Sequence, residues 1–564
     1  MVRTIRCCAI VAVWGIAYDA SAAEPSGEQA EIGRLIAQLG DDVPFVRERA
    51  QSQLAKMGFA AFDALSAAEN HADPEISARA KFLVRSIRVH WTRDDDPPEM
   101  RKLFKDYDQK SATDRKTIIQ EISVFPSDSG TDPLCRVTRY EKSTVLSKLA
   151  ALGIIDRPPP EGDVLARQIT TIRGAMGSSA RPAAQWLLAY VAYHADPAAA
   201  LTRWEELVAA ETTLLSQAPN ETSRDIVLSL RKRQYVLLVE QKRADDGAAV
   251  LKKAVEIVPA DKENIVKFLD WLVKQKAWST IDEVTVRFAR QFERNPLLLY
   301  SLAEARLAQG KPDLAEDAAA KAVRVAPEDL ALHRTAAMEL QELGLFRWAE
   351  REYRHVIGKG STESPYSLDC SIRLSDMLHD QLRDLDAAKS QQMVVDAMDK
   401  NPRVATAVQE LRTLGSMNVR ARLEFYYACH FQSAGDIVRQ AEHLDKAIRH
   451  DPTDADILIA LYRLPNVTPE RRTKTVALIR AAARKFEEQI AAADESEALR
   501  SIGYNQYAWL IANTEGDFDR ALRYSQLSVE SYPNAAGYLD TLARCYYAKG
   551  DTASAIRHQT QANR

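Results

Sequence analysis

Asp451, Asp454 and Asp456 crowd three carboxylates into one short stretch, the density at which a calcium-binding loop begins. The glycine and the terminal glutamate of such a loop are missing, and Pro452 is placed to close a helical unit. The run Gly358-Lys359-Gly360-Ser361-Thr362 has the flavour of a phosphate-binding loop but lacks the GxxxxGK[ST] spacing, and no strand precedes it. His443 and His450 share one helix face without any metal-ligand pattern, which reads as exposed polar surface. Asp94, Asp95 and Asp96 stand just before a fresh helix, where capping and solvation account for them. Cys135, Cys370, Cys429 and Cys545 are too widely spaced for a zinc set or a redox pair, and read as small buried hydrophobes. No nucleophile with its base, no cofactor site and no metal set emerges from the spacing alone.

The elements that carry these residues are helices. Leu299, Leu302, Ala303 and Arg306 line one face of a first helix, Gly310 ends it at a position suited to a left-handed cap, and Ala315, Ala319 and Ala322 line a second. Pro327 closes the unit. A step of 34 residues takes Gly310 to Gly344, Ala315 to Ala349 and Ala322 to Val356, and near the C-terminus takes Gly516 to Gly550 and Ala521 to Ala555. Ala254 and Pro259 occupy the slots of Ala322 and Pro327 two steps earlier. The copy over 262–295 keeps the length and loses the characteristic residues.

These residues resemble the tetratricopeptide repeat family from Leu228 onward. Asn505 stands where that family usually has Trp, and Trp509 where it usually has Gly or Ala, so local packing there departs from the pattern. Further upstream, Asp42, Pro44, Val46, Arg49 and Ala50 recur as Asp73, Pro74, Ile76, Arg79 and Ala80. That repeat resembles HEAT-type helices, in which the arginine braces adjacent repeats.

The reading is an all-α protein, an α-solenoid of HEAT- or armadillo-like helices followed by a tetratricopeptide superhelix. The expected organisation is a signal peptide over 1–22, a helical module over 23–156 and a proline-rich linker over 157–163 as the main boundary. The superhelix then runs over 164–564, with register breaks near 401–418 and 465–500. Helices are expected at Met100–Tyr107, Lys116–Val124 and Ser143–Leu152. Arg3 and Arg6 followed by the short apolar run Cys7–Ala17 predict export to the periplasm or the extracellular space. The apolar stretch Trp186–Ala195 is too short to span a bilayer.

The chain has 564 residues, 27% of them charged, with a formal net charge of −4. No basic block offers a nucleic-acid face. Function then falls to surface. Carrying over the family's groove-facing slots implies partner contacts at Tyr300 and Glu304, Arg334 and Met338, and Asp540, Arg544 and Tyr547. The Lys and Asn of the family's chaperone-tail clamp are not in these slots. The expectation is a non-catalytic scaffold of the cell envelope that binds a peptide or protein on its concave surface, with no cofactor. The rival readings are an accessory subunit of an envelope enzyme, for example one acting on wall polysaccharide, and a catalytic site hidden in the N-terminal module.

Overall fold

The computed structural model describes residues 27–563 apart from 70, 412–417 and 494–495. The expected signal peptide, with Arg3, Arg6 and Cys7–Ala17, lies outside the described residues. Among those residues every regular element is a helix, and consecutive helices pair antiparallel. The protein is an all-α solenoid of stacked helix pairs. It divides into two compact units, residues 1–287 and 288–564.

The turn between paired helices explains the period. At Gly310 (φ 73°) the amide of Gly310 donates to the Leu307 carbonyl and that of Lys311 to the Arg306 carbonyl. This doubly bonded cap satisfies two carbonyls the helix would otherwise leave open. The same pair of bonds recurs at Gly344, Gly435 and Gly550. It also recurs at Lys242, Lys276 and Leu382, which take positive φ without being glycine (59°, 56° and 61°). Lys242, Lys276, Gly310 and Gly344 are successive steps of 34. The copy over 262–295 therefore keeps the turn although its sequence has lost the glycine. Behind each turn the small residues sit at the interface of the pair: Ala254, Ala315, Ala322, Ala349, Ala447 and Ala521 are all buried. Gly516 departs from this pattern, with a φ of 143°.

In the first unit two hydrophobic cores follow one another. One is built on Leu35, Leu54, Phe62 and Leu83, the other on residues from Trp91 to Val250, including Trp186 and Trp204. Asp73 caps the helix Pro74–Ser86 by accepting from the amides of Glu75 and Ile76, and Arg79 donates to Gln51 of the helix Pro44–Met57 at 2.6 Å. In the earlier copy Arg49 is exposed, and Arg47 takes the bracing part, bonding the Asp41 carbonyl and pairing with Glu75 at 3.3 Å.

Three expectations are corrected here. The helices expected at Met100–Tyr107, Lys116–Val124 and Ser143–Leu152 run over Pro98–Phe104, Ala112–Ile122 and Thr144–Ile155, and a further one, Ser127–Tyr140, lies between the last two. It contains Pro133 and Gly130, and burial of Leu134, Cys135 and Val137 holds it helical. Asp96 does not cap or solvate: it is buried and takes a two-pronged bond from Arg136 at 2.8 Å. The segment 157–163 lies inside the first unit, and the units divide at 287/288 instead. Arg157 there donates to the Phe125 and Ile122 carbonyls, so the prolines turn the chain between two packed helices, Thr144–Ile155 and Gly162–Met176.

Candidate functional site: paired clefts in the second unit

The groove-facing slots separate into two groups. Tyr300, on the helix Pro296–Ala308, is fully buried, and its hydroxyl donates to Glu352 Oε1 at 2.5 Å. Glu352 Oε2 meets His333 Nδ1, also at 2.5 Å. Burial, reinforced by the Glu352 carboxylate, pushes the Tyr300 hydroxyl far above the usual phenol range. Burial opposes the charged form of His333, yet Glu352 outweighs it and raises the ring. Tyr300 is thus a seal between adjacent helix pairs, with no exposed surface to offer. Glu304 accepts from the Trp348 indole at 2.5 Å, Arg334 pairs with Asp369 at 2.5 Å, and Met338 is half-buried. The first two contacts tie adjacent helix pairs together.

The C-terminal group is different. On the helix Ala536–Ala548, Asp540 lines an open cleft of about 440 Å³, Arg544 lies over the Tyr547 ring at 5.1 Å, and Tyr547 is exposed. Arg544 Nε has no hydrogen-bond partner. The other walls are the turn Asp451–Asp456 and the helix Glu497–Asn513 with Asn505, Gln506 and Trp509. A second cleft of about 390 Å³ adjoins, lined by Phe425, Cys429, Gln440, Ile459 and Arg463. Asp456 and Trp509 belong to both and form the ridge between them.

The three aspartates are not a calcium loop. Asp451 binds the amide and hydroxyl of Thr453. Asp454 Oδ1 caps the helix Ala455–Arg463 by accepting from the Asp456 and Ile457 amides. Asp456 accepts from the Trp509 indole at 2.9 Å and from Arg422 at 3.3 Å. Asp454 is 6% exposed, and its Oδ2 has no partner. Burial is the main cause that raises its carboxyl to about 6; Arg422 opposes this and Asp456 adds to it. Asn505 Oδ1, Arg422 Nε and Arg422 Nη1 are likewise buried without partners. A buried polar group left without a partner costs on the order of 1–3 kcal/mol.

Asp454, Asp456, Asn505, Trp509 and Arg463 were outside the carried-over slots. The signal for two of them was present as departure from the repeat pattern: Asn505 and Trp509 replace the residues the family would pack there, and both line the cleft. His443 is also corrected. It is half-buried, bonded to Glu424 at 2.6 Å and stacked near Tyr427 and Phe431, whereas His450 is exposed. Gly360 caps the helix Phe346–Lys359 with extended backbone, so the glycine-lysine run is a turn between helices.

No family model matches the chain, and no curated protein matches it. Among solved structures it is similar to a human IFIT1 dimer with PPP-AAAA, at 13% identity and a TM-score of 0.18, over 86% of this chain and 98% of that one. It is also similar to Naa15/Naa10 bound to HypK-THB, at 12% identity and a TM-score of 0.20, over 77% and 63%. Scores this low carry no argument about function. The class, an all-α helical-repeat protein, rests on the helix pairs and their recurring turns. Among the described residues no helix is long and apolar enough to cross a membrane.

Proposed function

We propose that the chain is an exported, non-catalytic scaffold of the cell envelope that holds an extended protein segment along the two joined clefts. The observation that carries this is the pair of adjoining clefts, one of them lined by Asp451, Asp540, Asn505 and Gln506 and walled by the first helices of successive pairs. First-helix faces are where stacked repeats bind their ligands. The charged side chains that line this cleft, Asp451, Asp454, Asp456 and Asp540, are all acidic, so the favoured segment carries lysine or arginine. The adjoining cleft, with Phe425, Ile459 and Trp509, suits a neighbouring apolar or aromatic side chain. The thiol of Cys429 in that cleft is pushed up to about 12 by burial, which disfavours a nucleophilic role. Export rests on Arg3, Arg6 and the apolar run after them, and a HEAT-type module on the bracing by Arg79.

The test places a photoreactive side chain at Gln506, on the cleft wall, and at Phe82, an exposed residue of the first unit, in otherwise native protein. Synthetic peptides rich in lysine and aromatic residues should crosslink at 506 and not at 82, and their glutamate counterparts at neither. Equal labelling at both positions would remove the cleft as the site. Mass spectrometry of the secreted product settles whether residues 1–22 are removed.

A further inference from the structure

His379, Asp384 and Cys429 come from three different helices. His379 ends the helix Pro365–Asp380, Asp384 begins Asp384–Lys400, and Cys429 lies on Val419–Ser433. The left-handed turn at Leu382 folds His379 back beside Asp384, with Nδ1 and Oδ1 2.5 Å apart. One ligand atom from each of the three residues lies within 4.8 Å of the others. We propose that these three side chains bind a divalent metal ion of borderline softness, zinc being the type.

The donor set fits that chemistry. Imidazole, carboxylate and thiolate are the three protein ligands zinc takes, at about 2.0–2.3 Å, which sets neighbouring donors roughly 3.5 Å apart in a tetrahedral shell. Bringing the donors from within 4.8 Å of one another to that spacing takes side-chain shifts of roughly 1 Å, with the ion taking the place of the hydrogen between His379 Nδ1 and Asp384 Oδ1. The Cys429 thiol gives up its proton to solvent when the metal–sulfur bond forms, so binding releases protons and strengthens with pH. The surroundings are acidic. Asp380 lies within electrostatic reach of His379, Asp376 of Asp380, and Asp456 of Cys429, while Arg422, tied to Asp456, is the opposing cation. Phe425 and Tyr426 pack against the His379 ring and fix its plane. Asp384 is buried, and Cys429 lines the second cleft, so the fourth position is open to water or to a donor from a bound segment. The sequence hides the set because its members are scattered along the chain and only the helix pairing brings them together.

The test uses reduced, chelator-stripped full chain titrated with Zn²⁺ alone or Co²⁺ alone, and does not depend on the segment-binding reading. Expected are one ion per chain, a near-ultraviolet thiolate-to-cobalt charge-transfer band, and intense tetrahedral d–d absorption. Cys429→Ser and His379→Gln should each weaken uptake at least about tenfold, since even outer-shell losses cost that much. His450→Gln, at an exposed histidine, should bind as the native chain does. Should either variant fail to fold, Asp384→Asn and the native cobalt spectrum carry the test. Absence of the charge-transfer band overturns the proposal, as does equal affinity in the variants.

Discussion

Trp509 donates its indole N–H to Asp456 Oδ1 at 2.9 Å, and that single bond fixes the ridge on which both clefts of the second unit depend. Asp456 is held from its other side by Arg422, so the indole is oriented by a carboxylate that is itself anchored. Trp509→Phe keeps the aromatic surface and removes the donor. The expected loss in stability is about 1.5–3 kcal/mol, the net worth of one hydrogen bond to a charged acceptor. Affinity for a cationic-aromatic peptide should fall more, because the ridge is no longer held in one rotamer. Paired calorimetric melts and peptide titrations check this; a large melting shift with unchanged affinity would make Trp509 a packing residue only.

The turn residues separate backbone strain from packing. A side chain at Gly310 would meet nothing within 4 Å, so Gly310→Ala tests only the left-handed backbone (φ 73°) and should cost about 1 kcal/mol. Lys276, at the same slot one step earlier, carries that strain natively (φ 56°). Lys276→Gly should therefore be neutral or stabilising by up to about 1 kcal/mol, the relieved strain being partly offset by the extra freedom of glycine in the unfolded chain. Chemical denaturation of both variants reads the difference in sign.

Those two positions also mark what a sequence can disclose. The repeat was legible because its turn and its small interface residues are local and periodic. Lys276 shows that the geometry survives when the letter does not, since a stack demands constant unit length more strictly than any single residue. The site was legible only in part. Tyr300 and Asp540 occupy equivalent slots by period, yet one is sealed by Glu352 and the other opens onto a cleft. What differs is the neighbouring pair, and no spacing rule reports it. Asn505 and Trp509, by contrast, stood out because they broke the rule, as residues with a job beyond packing tend to do.

Ala349, fully buried on the helix Phe346–Lys359, sets how closely that helix approaches its partner Leu330–Glu342. Ala349→Leu must push the two apart or force strained rotamers, at an expected cost of about 1–3 kcal/mol. Ala315→Leu should behave alike one step earlier. A melting temperature that barely moves would argue against tight pairing at these positions.

In the first unit Lys148 and Glu211 form an ion pair at 2.7 Å, with side chains 0% and 3% exposed. Lys148 Nζ also donates to the Glu221 carbonyl and sits over the Trp186 ring. Removing one partner strands a buried charge, so Lys148→Met should cost about 3–5 kcal/mol. The double variant Lys148→Met/Glu211→Leu should recover much of that, because neither charge then has to be desolvated. Failure of the double variant to recover would mean that the Glu221 carbonyl contact matters more than the pair.

Asp454 joins stability, pH and binding in one side chain. Its folded carboxyl is raised to about 6, above the ordinary 3.8, chiefly by burial. Folding therefore favours the protonated form. The contribution is fully present below the unfolded value and is lost as pH rises through about 6. The drop is roughly 2–3 kcal/mol for a shift of this size. Asp454→Asn keeps a good helix cap and cannot ionise, so it should flatten the stability profile between pH 4 and 7 and stabilise the chain at neutral pH. A cationic side chain seated in the cleft would supply counter-charge, and the native protein should then gain most from such a ligand above pH 6. The variant should be more stable at neutral pH and bind the cationic peptide less well. Melts against pH, with and without a lysine-rich peptide, decide the matter. Equal peptide stabilisation of both chains at neutral pH would detach the buried carboxylate from binding and leave it a costly cap.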